Sequence, residues 1–369
     1  MEKKLFLIYI IFCMSFTSVF GQLPPVAQML YDSAFAHNPM RGQYSIDSGA
    51  VAMATADGNS FYLQWFPTGG APNSHPLLVT LHGTAGNAFN EFYLWHQYAK
   101  AKGVGIIAMQ WYRGYSVPYP NEYFGDITLY EYIDTALTRI QYPSNKAFFH
   151  GFSRGSEISY AIAFRDVQPP KGKNYFCTIM SNSGRPNPDT TYLYSQINSG
   201  MYGHTFYNGK QWGMYCGGQD PGIETKCDAM DSSKLWVEAN NGVVGLFIND
   251  DTLGHGGFQQ TPVYIDSALN YYLPCYLSTT ISESGDFQNH LVKIYPNPFS
   301  KQTTLNTEIF FKDASLTVYN SFGQQVKQIK NISGQAITLF RDNLPGGLYF
   351  LRLTQNNKIF ITKKLIITD

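Results

Sequence analysis

Charged side chains are scarce in this chain of 369 residues, and neither sign dominates. They make up 14% of the sequence, with 26 Lys and Arg against 26 Asp and Glu. This balance gives no support for a nucleic-acid partner or for an acidic substrate, because both are usually bound by an excess of basic side chains, and we expect no nucleic-acid partner. Hydrophobic residues make up 44% of the chain, enough for a sizeable core, and the length favours two domains over one.

Long apolar runs are equally rare, and the one pronounced run lies at the start of the chain. Two lysines within Met1–Lys4 precede the apolar stretch Leu5–Phe20, which is followed by the small residue Gly21. This order is typical of a secretory signal peptide, and we predict one over residues 1–21, with an uncleaved anchor as the alternative. A stable membrane span needs about 20 apolar residues, so we expect none in the rest of the chain.

Cysteine is also sparse, with five in the chain, and Cys13 is lost with the predicted signal peptide. An even number then remains in an exported protein, which permits disulfides in any of three pairings. Cys216 and Cys227 lie close in sequence and flank a Gly-rich turn, so we favour that pair; buried thiols are the alternative. The cysteines of the mature chain are Cys177, Cys216, Cys227 and Cys275.

Apolar strands alternate with helical segments over most of the chain. A hairpin is predicted over residues 50–68, around the turn Asp57-Gly58. Continuous apolar runs follow, typical of strands buried on both faces of a parallel sheet, and we predict a doubly wound, mostly parallel α/β sheet over residues 22–277. The strands are expected at 77–81, 104–110, 146–150, 175–181, 212–216 and 243–248, and the helices at 90–102, 127–140, 157–164, 232–239 and 261–272.

The pattern changes after residue 277. Residues 278–290 are rich in Ser, Thr and Asn without periodicity, which indicates a linker. Over residues 291–369, short strand-like runs separated by turn residues predict a small all-β domain, expected to be a sandwich. This segment holds ten Lys and Arg against four Asp and Glu, a net charge of +6, so the rest of the chain carries −6. The charge split supports two separate parts.

The segment Gly151-Phe152-Ser153-Arg154-Gly155 follows a predicted buried strand and precedes a predicted helix. This is the G-x-S-x-G pattern in the strand–turn–helix context that it requires, and it predicts Ser153 as a nucleophile. The turn is sharp, so the neighbours two residues away must be small, and the helix N-terminus favours negative charge at the reacting centre. A plain turn with Ser153 as helix cap is the alternative.

A serine hydroxyl needs a base to take its proton, and in this motif the acid and the base follow the nucleophile in the chain. The histidines after Ser153 are His204, His255 and His290. We predict His255, because it follows the last predicted strand on a Gly-flanked loop. Asp220 follows the preceding strand and is the predicted acid that orients the imidazole. Asp250 and Asp251 are rivals that we expect to cap or bind backbone instead.

The anion that forms on attack at a carbonyl needs two preorganised N–H donors. The backbone N–H of Arg154, directly after the nucleophile, is predicted to be one of them. The other is expected from the loop HGTAGN after the strand at 77–81, with Thr84 as the candidate. A plain turn at His82-Gly83 is the alternative.

An aromatic loop over residues 111–124 (WYRGYSVPYPNEYF) follows the predicted strand at 104–110, at the sheet edge where ligands bind in open α/β folds. We predict that Trp111, Tyr112 and Tyr115 contact the substrate, which we hypothesise to be aromatic, sugar-linked or a polyester. Simple packing of a long loop is the alternative.

The segments LHGTAGN, GFSRGS and GGQD–GHGGF resemble the α/β-hydrolase superfamily over about residues 76–273. Within it they look like secreted esterases of the polyhydroxybutyrate-depolymerase and feruloyl-esterase-like groups, although Ser156 stands where those groups often have glycine. The resemblance implies hydrolysis of a carboxylic ester, small or polymeric, through an acyl-enzyme without a metal or cofactor. A serine peptidase on the same fold and a non-catalytic glycan-binding surface protein are the alternatives.

The tail has a resemblance of its own. The segments IYPNPFS, SLTVYNSFGQQV and LPGGLYFLRL are similar, in order and spacing, to the type IX secretion sorting domain of Bacteroidetes, over nearly all of residues 291–369. This resemblance implies Sec export and then passage through the outer membrane by the type IX machinery, to the cell surface or the medium. A β-sandwich binding module is the alternative.

Overall fold

The computed structural model describes residues 23–114, 117–189, 191–277, 292–320, 323–355 and 358–368. The predicted signal peptide, the whole predicted linker and Tyr115 lie outside these ranges. Within them the strands form two sheets, an eight-stranded one followed along the chain by a five-stranded one. Each sheet is described by itself below.

The first sheet is mixed and mostly parallel, with the strand order β1-β2-β4-β3-β5-β6-β7-β8. The hairpin β1–β2 is antiparallel, as predicted, β2 also runs antiparallel to β4, and the remaining neighbours are parallel. Every residue of β3 and β4 is buried, which explains their continuous apolar sequence. The strands are β1 Val51–Ala54, β2 Phe61–Trp65, β3 Leu77–Leu81, β4 Gly105–Met109, β5 Ala147–Phe152, β6 Phe176–Asn182, β7 Gln211–Gly217 and β8 Val243–Asp250.

Helices cover both faces of this sheet, so the predicted doubly wound α/β fold is confirmed. One apolar layer packs α4, α5, α6 and α7 on the sheet, and a second layer packs α1, α3, α8 and α9 on its other face. The helices are α1 Pro25–His37, α2 Pro39–Asp47, α3 Ala88–Ala101, α4 Asp126–Arg139, α5 Arg154–Val167, α6 Tyr192–Asn198, α7 Cys227–Ala239, α8 Gly257–Gln260 and α9 Pro262–Leu277.

Two disulfides tie elements of this first unit together. The favoured pair Cys216–Cys227 is confirmed, and it joins the end of β7 to the start of α7. The second disulfide, Cys177–Cys275, joins β6 in the interior of the sheet to the last turns of α9. Among the described residues, no helix has both the length and the apolar character needed to cross a bilayer.

The second unit is antiparallel and all-β, as predicted, but its strands form one connected sheet and not the two sheets of a sandwich. The reason is the length of β10, which pairs with β11 along one edge and with β9 and then β12 along the other. Register shifts let this long strand bend, so the sheet curves around its own apolar residues. The strands are β9 Val292–Tyr295, β10 Gln302–Asn320, β11 Gln325–Phe340, β12 Gly347–Gln355 and β13 Lys358–Ile367.

Candidate active site

Ser153 stands between the end of β5 and the start of α5, in a backbone conformation that non-glycine residues rarely adopt. Its φ is +55° and its ψ is −116°, a strain of about 1–3 kcal/mol that the surrounding structure must support. Part of that support is a hydrogen bond of 2.8 Å from the Ser153 backbone N–H to the carbonyl of Asn182 on β6. The turn also has no room for side chains beside it, because a Cβ on Gly151 would lie 2.0 Å from the carbonyl oxygen of Gly155.

The structure brings Ser153, His255 and Asp220 into one chain of hydrogen bonds. His255 Nε2 lies 2.8 Å from Ser153 Oγ, and His255 Nδ1 lies 2.6 Å from Asp220 Oδ2. Asp220 is buried, and its other oxygen accepts a hydrogen bond of 2.9 Å from the Gly222 backbone N–H. A carboxylate that accepts from Nδ1 holds the proton there, so Nε2 is left to receive the proton of the serine hydroxyl.

Asp250, the alternative candidate for the acid, forms hydrogen bonds with other residues. Its Oδ1 accepts hydrogen bonds from the Thr252 backbone and hydroxyl and from the Leu253 backbone, and its Oδ2 accepts one from Tyr264. Those hydrogen bonds, from Thr252 and Tyr264 foremost, lower the pKa of Asp250 to about 2. Asp250 therefore shapes the loop that leads to His255, in line with the expectation that it binds backbone.

The Cys216–Cys227 disulfide closes the loop that carries Asp220. Cys216 lies near the end of β7 and Cys227 is the first residue of α7, eleven residues further along the chain. Arg185, from the loop after β6, restrains this loop further, because it donates two side-chain hydrogen bonds to Glu224, which lies between Asp220 and Cys227. Asp220 is thus held at the end of a short, cross-linked segment, which limits how far its carboxylate can move from His255.

The two predicted oxyanion donors are close to the nucleophile. A Cβ on Gly83, the residue before Thr84, would lie 3.0 Å from the Ser153 Cβ. The backbone N–H groups of Thr84 and Arg154 make no hydrogen bond to any residue that the structure describes. Arg154 also opens α5, whose N-terminal dipole favours negative charge at this point. Two unpaired donors beside one hydroxyl are suited to a developing anion.

Tyr123 connects the two segments that carry these donors. Its hydroxyl accepts a hydrogen bond of 2.8 Å from the Ala85 backbone N–H, next to Thr84. Its ring lies beneath the Arg154 guanidinium, 4.1 Å from the ring centroid. Ala85 has a φ of +53°, so the turn at this position is strained and depends on such a contact. Sequence reasoning assigned no such role to Tyr123, because one aromatic among several in a loop carries no distinctive spacing.

Replacing Tyr123 by Phe is expected to lower kcat for an ester substrate about tenfold to a hundredfold, with little change in KM. The substitution keeps the ring under Arg154 but removes the hydrogen bond to the Ala85 N–H, so the Thr84 donor loses its fixed position. The effect should be smaller than the 10²–10³-fold cost of deleting an oxyanion donor outright. Steady-state kinetics measure it, and Tyr132→Phe, which removes a hydroxyl bonded to Asp57 elsewhere, is the matched control. Equal losses in both variants would contradict the prediction.

A groove lies along α5 and reaches Arg154, the residue directly after Ser153. It has a volume of about 400 Å³, and Arg154, Glu157 and Arg165 of α5 line it. Trp111 lines the groove, whereas Tyr112 is largely buried beside it, packed on Tyr123, and does not line it. Trp111 is itself nearly buried and donates a hydrogen bond of 3.0 Å to the His82 carbonyl, so it also braces the strand end before Thr84.

His82, between β3 and this loop, is buried and neutral. Burial lowers its pKa to about 4, against the opposing effect of its hydrogen bond to the Gly83 carbonyl. An uncharged His82 therefore adds no positive charge beside the predicted donor at Thr84. Among the described residues, no group of three or more His, Cys, Asp and Glu side chains is arranged to hold a metal ion.

Comparisons with known proteins found one family match and a set of similar solved structures. Residues 293–368 match a family described as a secretion system C-terminal sorting domain. Solved structures similar to the chain include a Bacillus cereus carboxylesterase, with 16% identity, a TM-score of 0.42 and coverage of 64% of this chain and 99% of that one. A Pyrobaculum calidifontis esterase has 11% identity, a TM-score of 0.46 and coverage of 69% and 98%. No curated protein matches the sequence.

The chain has two parts. The first has the α/β-hydrolase fold, on the evidence of its strand order, the helices on both faces and the strand–turn–helix at Ser153. The second is a secretion sorting domain, which supports secretion to the cell surface or the medium.

Proposed function

We propose that this protein is a secreted serine hydrolase of carboxylic esters, with Ser153, His255 and Asp220 as its catalytic residues. The observation that carries the proposal is the unbroken hydrogen-bonded chain from the Ser153 hydroxyl through His255 to the buried Asp220. The two unpaired backbone donors at Thr84 and Arg154 supply the second requirement of acyl transfer. Residues 1–21 as a signal peptide and 278–290 as a linker complete the proposed organisation.

Acyl transfer follows from these positions. Ser153 Oγ attacks the ester carbonyl carbon while its proton passes to His255 Nε2, and the carbonyl oxygen becomes an anion facing the N–H groups of Thr84 and Arg154. The anion collapses, the bond to the alcohol oxygen breaks, and that oxygen takes the proton from His255. Water then attacks the acyl-enzyme in the same way and releases the carboxylic acid. Asp220 stays ionised throughout and stabilises the imidazolium.

Labelling with a fluorophosphonate tests the mechanism directly. The mature protein is expected to react at Ser153, as shown by peptide mass spectrometry, and to lose its esterase activity in proportion to labelling. An unlabelled Ser153 in folded protein would overturn the proposal and favour a non-catalytic binding protein. Matched ester and amide substrates of one acyl group then separate an esterase from a peptidase, since only a peptidase retains a useful rate on the amide.

The groove that begins at Arg154, next to Ser153 in the chain, supports a substrate with an extended group. Its walls combine aromatic and aliphatic side chains, which suits an aromatic, sugar-linked or polyester chain better than a short acyl group alone. A panel of chromogenic esters tests this part. Equal kcat/KM on acetyl and on long or aromatic esters would remove the groove from the proposal and leave the chemistry intact.

A further inference from the structure

The groove carries more charge than its apolar walls suggest, and most of that charge is paired. Arg154 Nη1 lies 3.2 Å from Glu122, and Arg165 Nε lies 2.7 Å from Asp126. Both arginines line the groove, and each is neutralised by its neighbouring carboxylate. The aromatic and aliphatic residues around them are Trp111, Tyr123, Phe124, Ile158, Tyr192 and Leu193.

Glu157 is the exception. It lies on α5 four residues after Ser153, between the two pairs, and its half-buried carboxyl lines the groove. Within the described ranges this carboxyl makes no hydrogen bond and no ion pair. Arg185, the other cation that acts on it, is already engaged by Glu224. One negative charge is therefore left without a partner, one helical turn from the nucleophile.

We propose that the groove binds a positively charged nitrogen of the ester substrate, with Glu157 as the residue that selects it. The proposal rests on the esterase function proposed above and names the substrate class for that site. An ammonium group would pair with the carboxylate and lie against aromatic faces, which attract cations electrostatically. An anion would be repelled by Glu157 and would find both groove arginines already paired. A neutral group would leave the carboxylate desolvated without compensation.

The ionisation of Glu157 agrees with this role. Burial raises its pKa to about 7, with Arg154 opposing the shift and Glu224 adding to it. Selection of a cation should therefore strengthen as the pH rises from about 6 to 8, while Glu157 loses its proton. The charged groups that act on Glu157 or line the groove with it are Arg154 and Arg165 on its own helix, Glu122 and Asp126 on the loop and helix opposite, and Arg185 and Glu224 on the loops after β6 and β7.

Matched ester pairs test the selection on either side of the ester bond. In the first pair, butyrylcholine carries the charge on its alcohol, and 3,3-dimethylbutyl butyrate is the uncharged isostere. In the second pair, ethyl 6-aminohexanoate carries the charge on its acyl group, and ethyl heptanoate is the uncharged counterpart. The ratio of kcat/KM within a pair cancels the shared chemistry of Ser153 and His255. In one of the two arms we expect a preference for the cation of about tenfold or more at pH 8, smaller at pH 6.

Glu157→Gln is expected to bring that ratio close to one, and Glu131→Gln, a surface pair with Lys171, to leave it unchanged. The Glu157→Gln variant should fold. Because the folded-state pKa of Glu157 is raised to about 7, the wild-type protein loses stability as the pH rises through that value, whereas an amide does not ionise. The melting temperature of the variant at pH 8 should therefore be no lower than that of the wild-type protein.

Three results would overturn the selection without touching the ester chemistry: a ratio near one in both arms, a preference for the neutral ester, or a preference that survives in Glu157→Gln. Calorimetric titration of Ser153→Ala protein with tetraethylammonium gives a readout without turnover. Binding that is lost when Glu157→Gln is added supports the site even if no ester is hydrolysed, and absence of binding counts against it. Failure of fluorophosphonate labelling would instead overturn the proposed function.

Discussion

Ser153→Ala is expected to lower kcat for ester hydrolysis by at least about ten-thousand-fold, while the protein stays folded and still binds substrate. The hydroxyl is the group of the hydrogen-bonded chain that forms the acyl-enzyme, because Ser153 Oγ donates its proton to His255 Nε2, 2.8 Å away, as it attacks the carbonyl. The residual rate should come from substrate positioning and from the donors at Thr84 and Arg154. Active-site titration with a chromogenic ester measures the loss as a missing burst.

Substitutions of Asp220 and His255 test the same mechanism. Asp220→Asn should cost about 10⁴-fold, because an amide can hold the imidazole in place but favours the wrong tautomer. Groups that act as one unit are not additive, so Ser153→Ala combined with His255→Ala should be no slower than Ser153→Ala alone. Ser232→Ala on α7, which removes only an exposed hydroxyl bond to Asp228, serves as the control. Near-normal turnover in Ser153→Ala would rule out the mechanism.

Gly151→Ala is expected to abolish most activity and to destabilise the fold by at least about 2–3 kcal/mol. The added Cβ would lie 2.0 Å from the carbonyl oxygen and 2.4 Å from the carbonyl carbon of Gly155. Both atoms are backbone and cannot rotate away, so the turn that holds Ser153 must open. A displacement of about 1 Å in such a nucleophile costs about a hundredfold in rate.

Gly125→Ala is the matched control for this substitution. Gly125 is the N-cap of α4 with a φ of −69°, and a Cβ there meets no atom within 4 Å, so only the cost of a poorer helix cap, about 1 kcal/mol, is expected. Thermal unfolding and kcat/KM measured on both variants test the comparison. If Gly151→Ala has the same melting temperature and the same kcat/KM as Gly125→Ala, the tight turn at Ser153 does not exist in solution as described.

Much of the first domain could be predicted because its strands have a sequence signature that does not depend on distant contacts. Residues 77–81 and 105–109 lie in continuous apolar runs, such runs have few other uses than strands buried on both faces, and every residue of both strands is buried. The helices α1 and α2 were not predicted, since their stability comes from packing. Tyr31 on α1 lies with its ring edge against Phe61 and Phe89, and neither contact can be read from residues 25–47 alone.

The same distinction holds in the candidate site. Ser153, Asp220 and His255 each follow a strand of one parallel sheet, and such strand ends meet at one edge, so the rules of the fold were enough to bring them together. Tyr123 and Glu157 depend on where a loop and a neighbouring helix lie. The spacing of four between Ser153 and Glu157 is visible in the sequence, but the burial and the missing partner of that carboxyl are not. Tyr112, expected to contact the substrate, packs against Tyr123 for the same reason.

The Cys177–Cys275 disulfide has a consequence for the life of the protein after it leaves the cell. Cys275 lies two residues before Leu277, where α9 ends, and its partner is fully buried in β6. A protease that severed the sorting domain within residues 278–291 would create a new chain end that is already anchored covalently to the middle of the sheet. Fraying from that end would stop at Cys275. The end of α9 would thus stay attached to the sheet of the first unit after the sorting domain is removed.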